Sequence, residues 1–218
     1  MEKVLFIAYQ FPPRGGPGVQ RSMAFVSHLR EFGYEPIVLT VTEDDIKQGR
    51  YQFDESLMGR IPHDILIHRI PANEPAVWAK RMMELKLYRF FWYFGFHRLW
   101  EWSLNWNENA LPVAQQLIRE HNIKLVYTSS APFSVMLLGM KLQQTLNVKW
   151  VADLRDPYTD AYAWQFPSKI HWLFRRRFER KVFSKPDRLI VNTPAVKELY
   201  LKRQLIEPSK ITVITNGY

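Results

Sequence analysis

Two short stretches of this 218-residue chain hold side chains whose types and spacing could do chemistry. The first is YQFPPRGGPGVQR, residues 9–21, where Gly15, Gly16 and Gly18 stand among three prolines, with Arg14 and Arg21 to either side. Glycines let a backbone come within hydrogen-bonding range of a ligand, and a helix starting near Val19 would add unpaired N–H groups and the positive end of its dipole. That is the outline of an anion site. A tight strand-to-helix turn also favours Gly and Pro, so composition alone leaves both readings open. The loop has neither the Gly-Lys-Ser/Thr of a Walker loop nor the spacing of a GxGxxG fingerprint.

The second stretch is DLRD, residues 153–156, at the end of an apolar run. Asp153 and Asp156 could serve a reacting group there, or could cap turns and pair with Arg155. Arg21 could reach a phosphate or lie in solvent. Asn192 and Thr193 end another apolar run just before Pro194, and the arrangement Thr-Pro predicts that Thr193 caps a helix. His63, His68, His97, His121 and His171 show no metal-ligand spacing, and His28, three residues before Glu31, reads as an ordinary surface histidine.

The elements that must position these residues alternate. VLFIAY (4–9), PIVLTV (36–41), ILIHRI (65–70), KLVYTS (124–129), KWVAD (149–153), RLIVN (188–192) and ITVIT (211–215) read as strands. Val19, Met23, Val26, Leu29 and Phe32 recur at helical spacing until Gly33 stops them, and further helices are predicted near 108–121, 133–146, 168–184 and 194–205. Between the second and third strands a polar loop holds Asp44, Asp45 and Lys47. The pattern predicts one α/β domain with a Rossmann-like, mainly parallel sheet of about seven strands and helices on both faces. Such sheets bind ligands beyond the carboxyl ends of their strands, where both stretches fall.

Composition sets further bounds. The chain has no cysteine, which excludes disulfides, thiolate metal sites and thiol nucleophiles. Its start, MEKVLFIAYQ, carries Glu2 and has too short an apolar run for a signal peptide, so a cytoplasmic protein is expected. The net charge of +9 sits in two segments, +3 in residues 77–106 and +6 in residues 168–188, which together hold the whole excess. The first, VWAKRMMELKLYRFFWYFGFHRLWEWSLNW, has too many basic residues to span a membrane. It could pack on the core, lie at a membrane interface or stack on nucleic-acid bases. In the second, Ile170, Phe174, Phe178 and Val182 are expected on one helix face and Arg176 and Arg180 on the other, against solvent or lipid.

The residues also carry a resemblance. FPPRGGPGVQRSMAFVSHLREFGYEPIVLT resembles the start of the N-terminal domain of family 4 retaining glycosyltransferases. TSSAPFSVMLLG (128–139), WVADLRDPYTD (150–160) and RLIVNTPAVKELY (188–200) follow in order. The closing ITVITNGY is similar to the strand-then-Asn-Gly junction where the family's second domain normally begins. The similarity covers nearly the whole chain apart from about 42–110.

That resemblance implies one half of a GT-B enzyme: residues 1–218 as the acceptor-side N-terminal domain, with the C-terminal nucleotide-sugar-binding domain and its Glu-x7-Glu motif absent from this chain. It places Gly15, Gly16, Gly18 and Arg21 at the donor diphosphate. Asp153 and Asp156 fall near the reacting carbon, where many members have a histidine. Arg155, Asn192 and Thr193 fall on the acceptor side of the cleft, and Asn216 and Gly217 at the interdomain hinge. No metal or cofactor is implied, since the nucleotide sugar is a substrate. The expected activity is transfer of a hexose to a lipid-linked or polysaccharide acceptor in cell-surface polysaccharide biosynthesis. The enzyme would be peripheral on the inner membrane face through residues 77–106 and 168–188, with no nucleic-acid partner and with this fragment inactive alone. A non-catalytic Rossmann-like module binding a nucleotide or nucleic acid is the other class that the residues allow.

Overall fold

The computed structural model describes residues 1–48, 52–72, 104–160 and 168–217. Most of the aromatic stretch 77–106 therefore lies outside the described residues. Its last residue, Trp106, is fully buried and donates its indole N–H to the Ile70 carbonyl at 3.1 Å.

The seven expected strands form one sheet, with every neighbouring pair parallel. They are β1 (Glu2–Ala8), β2 (Tyr34–Val41), β3 (Leu66–Ile70), β4 (Leu125–Ser129), β5 (Lys149–Leu154), β6 (Arg188–Val191) and β7 (Ile211–Val213), in the spatial order β3-β2-β1-β4-β5-β6-β7. Between them run α1 (Pro17–His28), α2 (Glu43–Gln48), α3 (Leu104–Glu120), α4 (Val135–Leu146), α5 (Lys169–Phe183) and α6 (Pro194–Lys202). The chain steps outward from β1 to β3, returns through α3 to the other side of β1, and then steps outward again. Right-handed crossovers put α1 on one face and α3 to α6 on the other.

The strand period of two sorts the core accordingly. Val4 and Phe6 of β1 pack with Val19, Met23 and Val26 of α1, while Leu5 and Ile7 belong with Trp106, Ala110 and Ala114 on the opposite face. Two expectations change. Glu43–Gln48, read as a polar loop, is a short helix whose single buried residue is Ile46. The first helix gives way at Leu29 to a 3-10 turn, Leu29–Phe32, and Gly33 ends that turn at φ 84°, the left-handed conformation that glycine adopts without strain.

At Gly139, α4 lies close against the sheet. A Cβ there would fall on the indole nitrogen of Trp150 and 2.8 Å from Thr128 Cγ2, both in the core. Trp150 is fixed by its own 2.8 Å hydrogen bond to Thr128 Oγ1, so it cannot yield cheaply. Gly139→Ala is expected to cost about 1–3 kcal/mol through overpacking. A lower urea midpoint at unchanged m-value would show it; an unchanged midpoint would mean that α4 shifts freely.

Candidate functional site

The strand order reverses between β1 and β4, and the loops leaving these two strands part to opposite faces. This is the switch point where open α/β sheets take ligands. The glycine loop, Ser130 and Arg155 meet there.

The glycine loop is held by its own turns, Arg14 N–H to the Phe11 carbonyl at 3.1 Å and Val19 N–H to the Gly16 carbonyl at 3.3 Å, and by its neighbours. Gly15 N–H donates to the Gln52 carbonyl at 2.7 Å, and Asp54 N–H donates to the Pro13 carbonyl at 2.7 Å. Arg69, at the end of β3, donates to the Pro12 carbonyl at 2.8 Å. Gly16 precedes α1 with φ 98° and ψ 171°, a region open to glycine alone, and nothing lies within 4 Å of where its Cβ would be. Pro17 occupies the first helical turn, no side chain caps the helix and no acid stands in that turn. The positive end of α1 is therefore not neutralised by α1's own side chains.

Arg155, expected on the acceptor side, turns back onto this loop and is 9% exposed. Its guanidinium donates to the carbonyls of Gly18 and Ser130 and, at 3.3 Å, to Gln10 Oε1. Burial lowers its pKa, and the charges of Asp153 and Asp156 work in the other direction. A side chain at position 18 would run into Gln10 and stand 3.2 Å from Arg155 Nη1. Gly18 thus serves the close approach of Arg155.

Arg21 and Asp153 also differ from expectation. Arg21, expected at a phosphate, lies in the second turn of α1 and points inward. Its Nε and Nη2 donate to Asp153 Oδ2 and Oδ1 at 2.7 and 2.9 Å. Its Nη1 donates to the Thr215 carbonyl at 3.1 Å and Asn216 Oδ1 at 3.4 Å. Asp153 is fully buried and also accepts from the Tyr127 hydroxyl at 2.7 Å. Burial opposes the Arg21 charge, but the bonds to Asp153 hold its pKa above the ordinary value. Burial first, then the Asp153 charge, push the Tyr127 hydroxyl well up. The triad Tyr127–Asp153–Arg21 fixes α1 to the sheet and reaches no open space through Asp153.

Asp156 is exposed, in the bend after β5. Its loop is pinned from behind by a buried carboxylate that sequence reading passed over. Glu179 of α5 is fully buried and accepts from Thr159 N–H at 3.2 Å, the Tyr200 hydroxyl at 3.3 Å and Arg203 Nη1 at 3.2 Å. Arg203 also pairs with Asp160. Arg175 lies over the Tyr158 ring at 4.1 Å and donates to its carbonyl. Thr193 caps α6 by accepting from Val196 N–H, as its sequence context predicts. Asn192 is half-buried beside it at the end of β6, and Asn216 and Gly217 are exposed after β7.

Burial raises the Glu179 pKa above its ordinary value of 4.5, with the bonds from Thr159 and the Arg203 charge opposing. Above 4.5 and below the raised value, the folded protein holds a proton that the unfolded chain has lost, so stability falls as pH rises through that window. Wild type is therefore expected to lose stability relative to Glu179→Gln as pH climbs above 4.5, as read by chemical unfolding at several pH values. A difference that is flat with pH would refute this.

Comparisons with known proteins agree with this architecture. Sucrose-phosphate synthase from Thermosynechococcus elongatus superposes with a TM-score of 0.62 at 14% identity, covering 100% of this chain and 49% of that one. Anabaena Alr3699/HepE, solved with UDP-glucose, gives 0.55 at 14% identity, covering 100% of this chain and 44% of that one. UDP-GlcNAc 2-epimerase from Methanocaldococcus jannaschii gives 0.55 at 10% identity over 99% and 46%. The chain spans about half the length of these proteins, and at such identities the likeness is one of fold, that of the N-terminal half of GT-B enzymes. No curated protein sequence matches it significantly. The family model described as Glycosyltransferase Family 4 matches residues 18–218, from the glycine at the start of α1 through the exposed segment after β7. With its parallel sheet and its loop at the switch point, the chain belongs to glycosyltransferase family 4.

Proposed function

We propose that this chain is the acceptor-side half of a retaining glycosyltransferase that moves a hexose from a nucleotide sugar to a lipid-linked or polysaccharide acceptor. The donor diphosphate rests against Gly15, Gly16 and the uncapped start of α1, and Asp156 faces the reacting centre. Asn192 and Thr193 border the acceptor side, and Asn216 and Gly217 lead to a second α/β domain carrying the nucleobase pocket. The observation that carries this reading is the open Gly16, at a φ that glycine alone adopts freely, ahead of a helix with no side-chain cap, in a loop braced by Arg155 and Arg69 of a family 4 chain. Arg21 and Asp153 act at one remove, holding α1 and thus the loop in place.

Glycosyl transfer needs the leaving diphosphate stabilised and the acceptor hydroxyl aligned at the same carbon, so both halves of a cleft act together. In a chain carrying both halves, Gly16→Val is expected to lower transfer about 100-fold, the scale of losing one charge-stabilising backbone contact. Residues 1–218 alone are expected to bind UDP-, GDP- and ADP-sugars weakly or undetectably by calorimetry. Unaltered transfer by the variant would remove the loop from the mechanism. Turnover by residues 1–218 alone would show that catalysis is complete within them.

A further inference from the structure

The segment that follows β7 has little of its own to hold it. Ile214, Thr215, Asn216 and Gly217 are exposed and outside any helix or strand, and the sheet's last bond to them runs from Ile214 N–H to the Val191 carbonyl at 2.9 Å. Among the described residues, the one side chain bonded to this segment is Arg21, through Nη1 to the Thr215 carbonyl and Asn216 Oδ1. Arg21 stands in the second turn of α1, the helix that the glycine loop opens.

The same guanidinium gives its other edge to Asp153, with Nε and Nη2 each taking one carboxylate oxygen. A guanidinium is planar and stiff, so its two edges cannot turn independently. It is confined sideways as well: its central carbon lies 5.2 Å from the centroid of the Phe25 ring, and Phe25 lies 5.5 Å from the Tyr127 ring. A tilt of α1 that keeps the Asp153 pair must therefore carry Nη1 along, and either shift the segment after β7 or break both bonds to it. A Lys could neutralise Asp153 alone. Because Arg21 is buried, Nη1 needs acceptors of its own, and the fold supplies them from a segment that is otherwise exposed.

We propose that Arg21 is a positioning residue that couples the helix behind the glycine loop to residues 214–217, so that each holds the other in place. The use of this coupling rests on the reading above, in which that segment leads to a second domain: a shift of the glycine loop on meeting a donor is then felt where the halves join. The coupling itself needs neither donor nor second domain, so the two readings fail separately.

The test is amide hydrogen exchange, followed by NMR on residues 1–218, with the Ile214 amide reporting on the segment. Arg21→Lys keeps a cation against Asp153 and removes the second edge. It is expected to speed exchange at Ile214 about tenfold, the scale of two lost hydrogen bonds. Tyr127→Phe takes a hydrogen bond from the same Asp153 but leaves Nη1 in place, and is expected to leave Ile214 unchanged. Asn216→Ala, at an exposed position, is expected to speed Ile214 about threefold by itself and to add nothing in the Arg21→Lys background. Coupling is reciprocal, so Asn216→Ala is also expected to speed exchange of the Arg21, Ser22 and Met23 amides of α1 by about twofold to threefold. An arginine that only packs α1 on the sheet would not transmit a change at Asn216 to that helix. Ile214 exchange indifferent to Arg21→Lys, an equal rise in Tyr127→Phe, additive effects of the two substitutions, or an α1 indifferent to Asn216→Ala would each overturn the proposal. If Arg21→Lys does not fold, the effect of Asn216→Ala on α1 decides alone.

Discussion

Asp153→Ala is expected to destabilise the protein by about 3–5 kcal/mol, the range for removing one partner from a buried ion pair. Arg21 has a side chain only 6% exposed, so its guanidinium cannot regain water where it sits. The Tyr127 hydroxyl, buried at the same point, loses its acceptor too. Urea unfolding should show a large fall in midpoint at unchanged m-value. A loss under about 1 kcal/mol would mean that Arg21 swings out to solvent, as surface pairs do. Rescue is expected from Arg21→Met in the Asp153→Leu background, because replacing both charges with packed apolar groups costs far less than orphaning one.

Asp156→Asn is expected to behave in the opposite way, lowering kcat about 100-fold in an enzyme carrying both halves while leaving KM and thermal stability nearly unchanged. The substitution keeps the shape and removes the charge; Asp156 is exposed, and the buried Arg155, on which its charge acts, keeps the Asp153 charge and its own hydrogen bonds to Gly18 and Ser130. Its loop stays pinned by Glu179 at Thr159 and by Arg203 at Asp160. If only the melting temperature moved, Asp156 would belong with the framework. The pair separates by phenotype two aspartates that stand three residues apart: one buried against Arg21, the other exposed in the bend after β5.

That separation could not be read from the sequence, since DLRD offers two identical carboxylates. What decides between them is a partner 132 residues away, and no local pattern announces an Arg21–Asp153 pair. The strands were legible because buried parallel strands are continuous apolar runs, and Thr193 because a cap and the following Pro are adjacent. Helix α2 was missed because only Ile46 of its six residues is buried. The apolar face expected of helix α5 is split for a related reason: Val182 is buried and Phe178 packs on the core, while Ile170 and Phe174 are exposed. Periodicity assumes that apolar residues face inward, whereas here Glu179 and Arg175 are taken into the interior by Thr159, Tyr200, Arg203 and Tyr158.

The strand order has a consequence for how the molecule assembles in time. β1 to β3 and β4 to β7 each form from pairings between successive strands, whereas β1 with β4 joins residues as distant as Val4 and Leu125. Loop closure disfavours such a contact until the local units exist, so this seam is expected to zip last. The glycine loop, Ser130 and Arg155 converge on the same seam. A partly folded chain can therefore hold both sheet halves and still lack the contacts among the glycine loop, Ser130 and Arg155, so the ordering of that loop is expected to track the final kinetic phase of refolding.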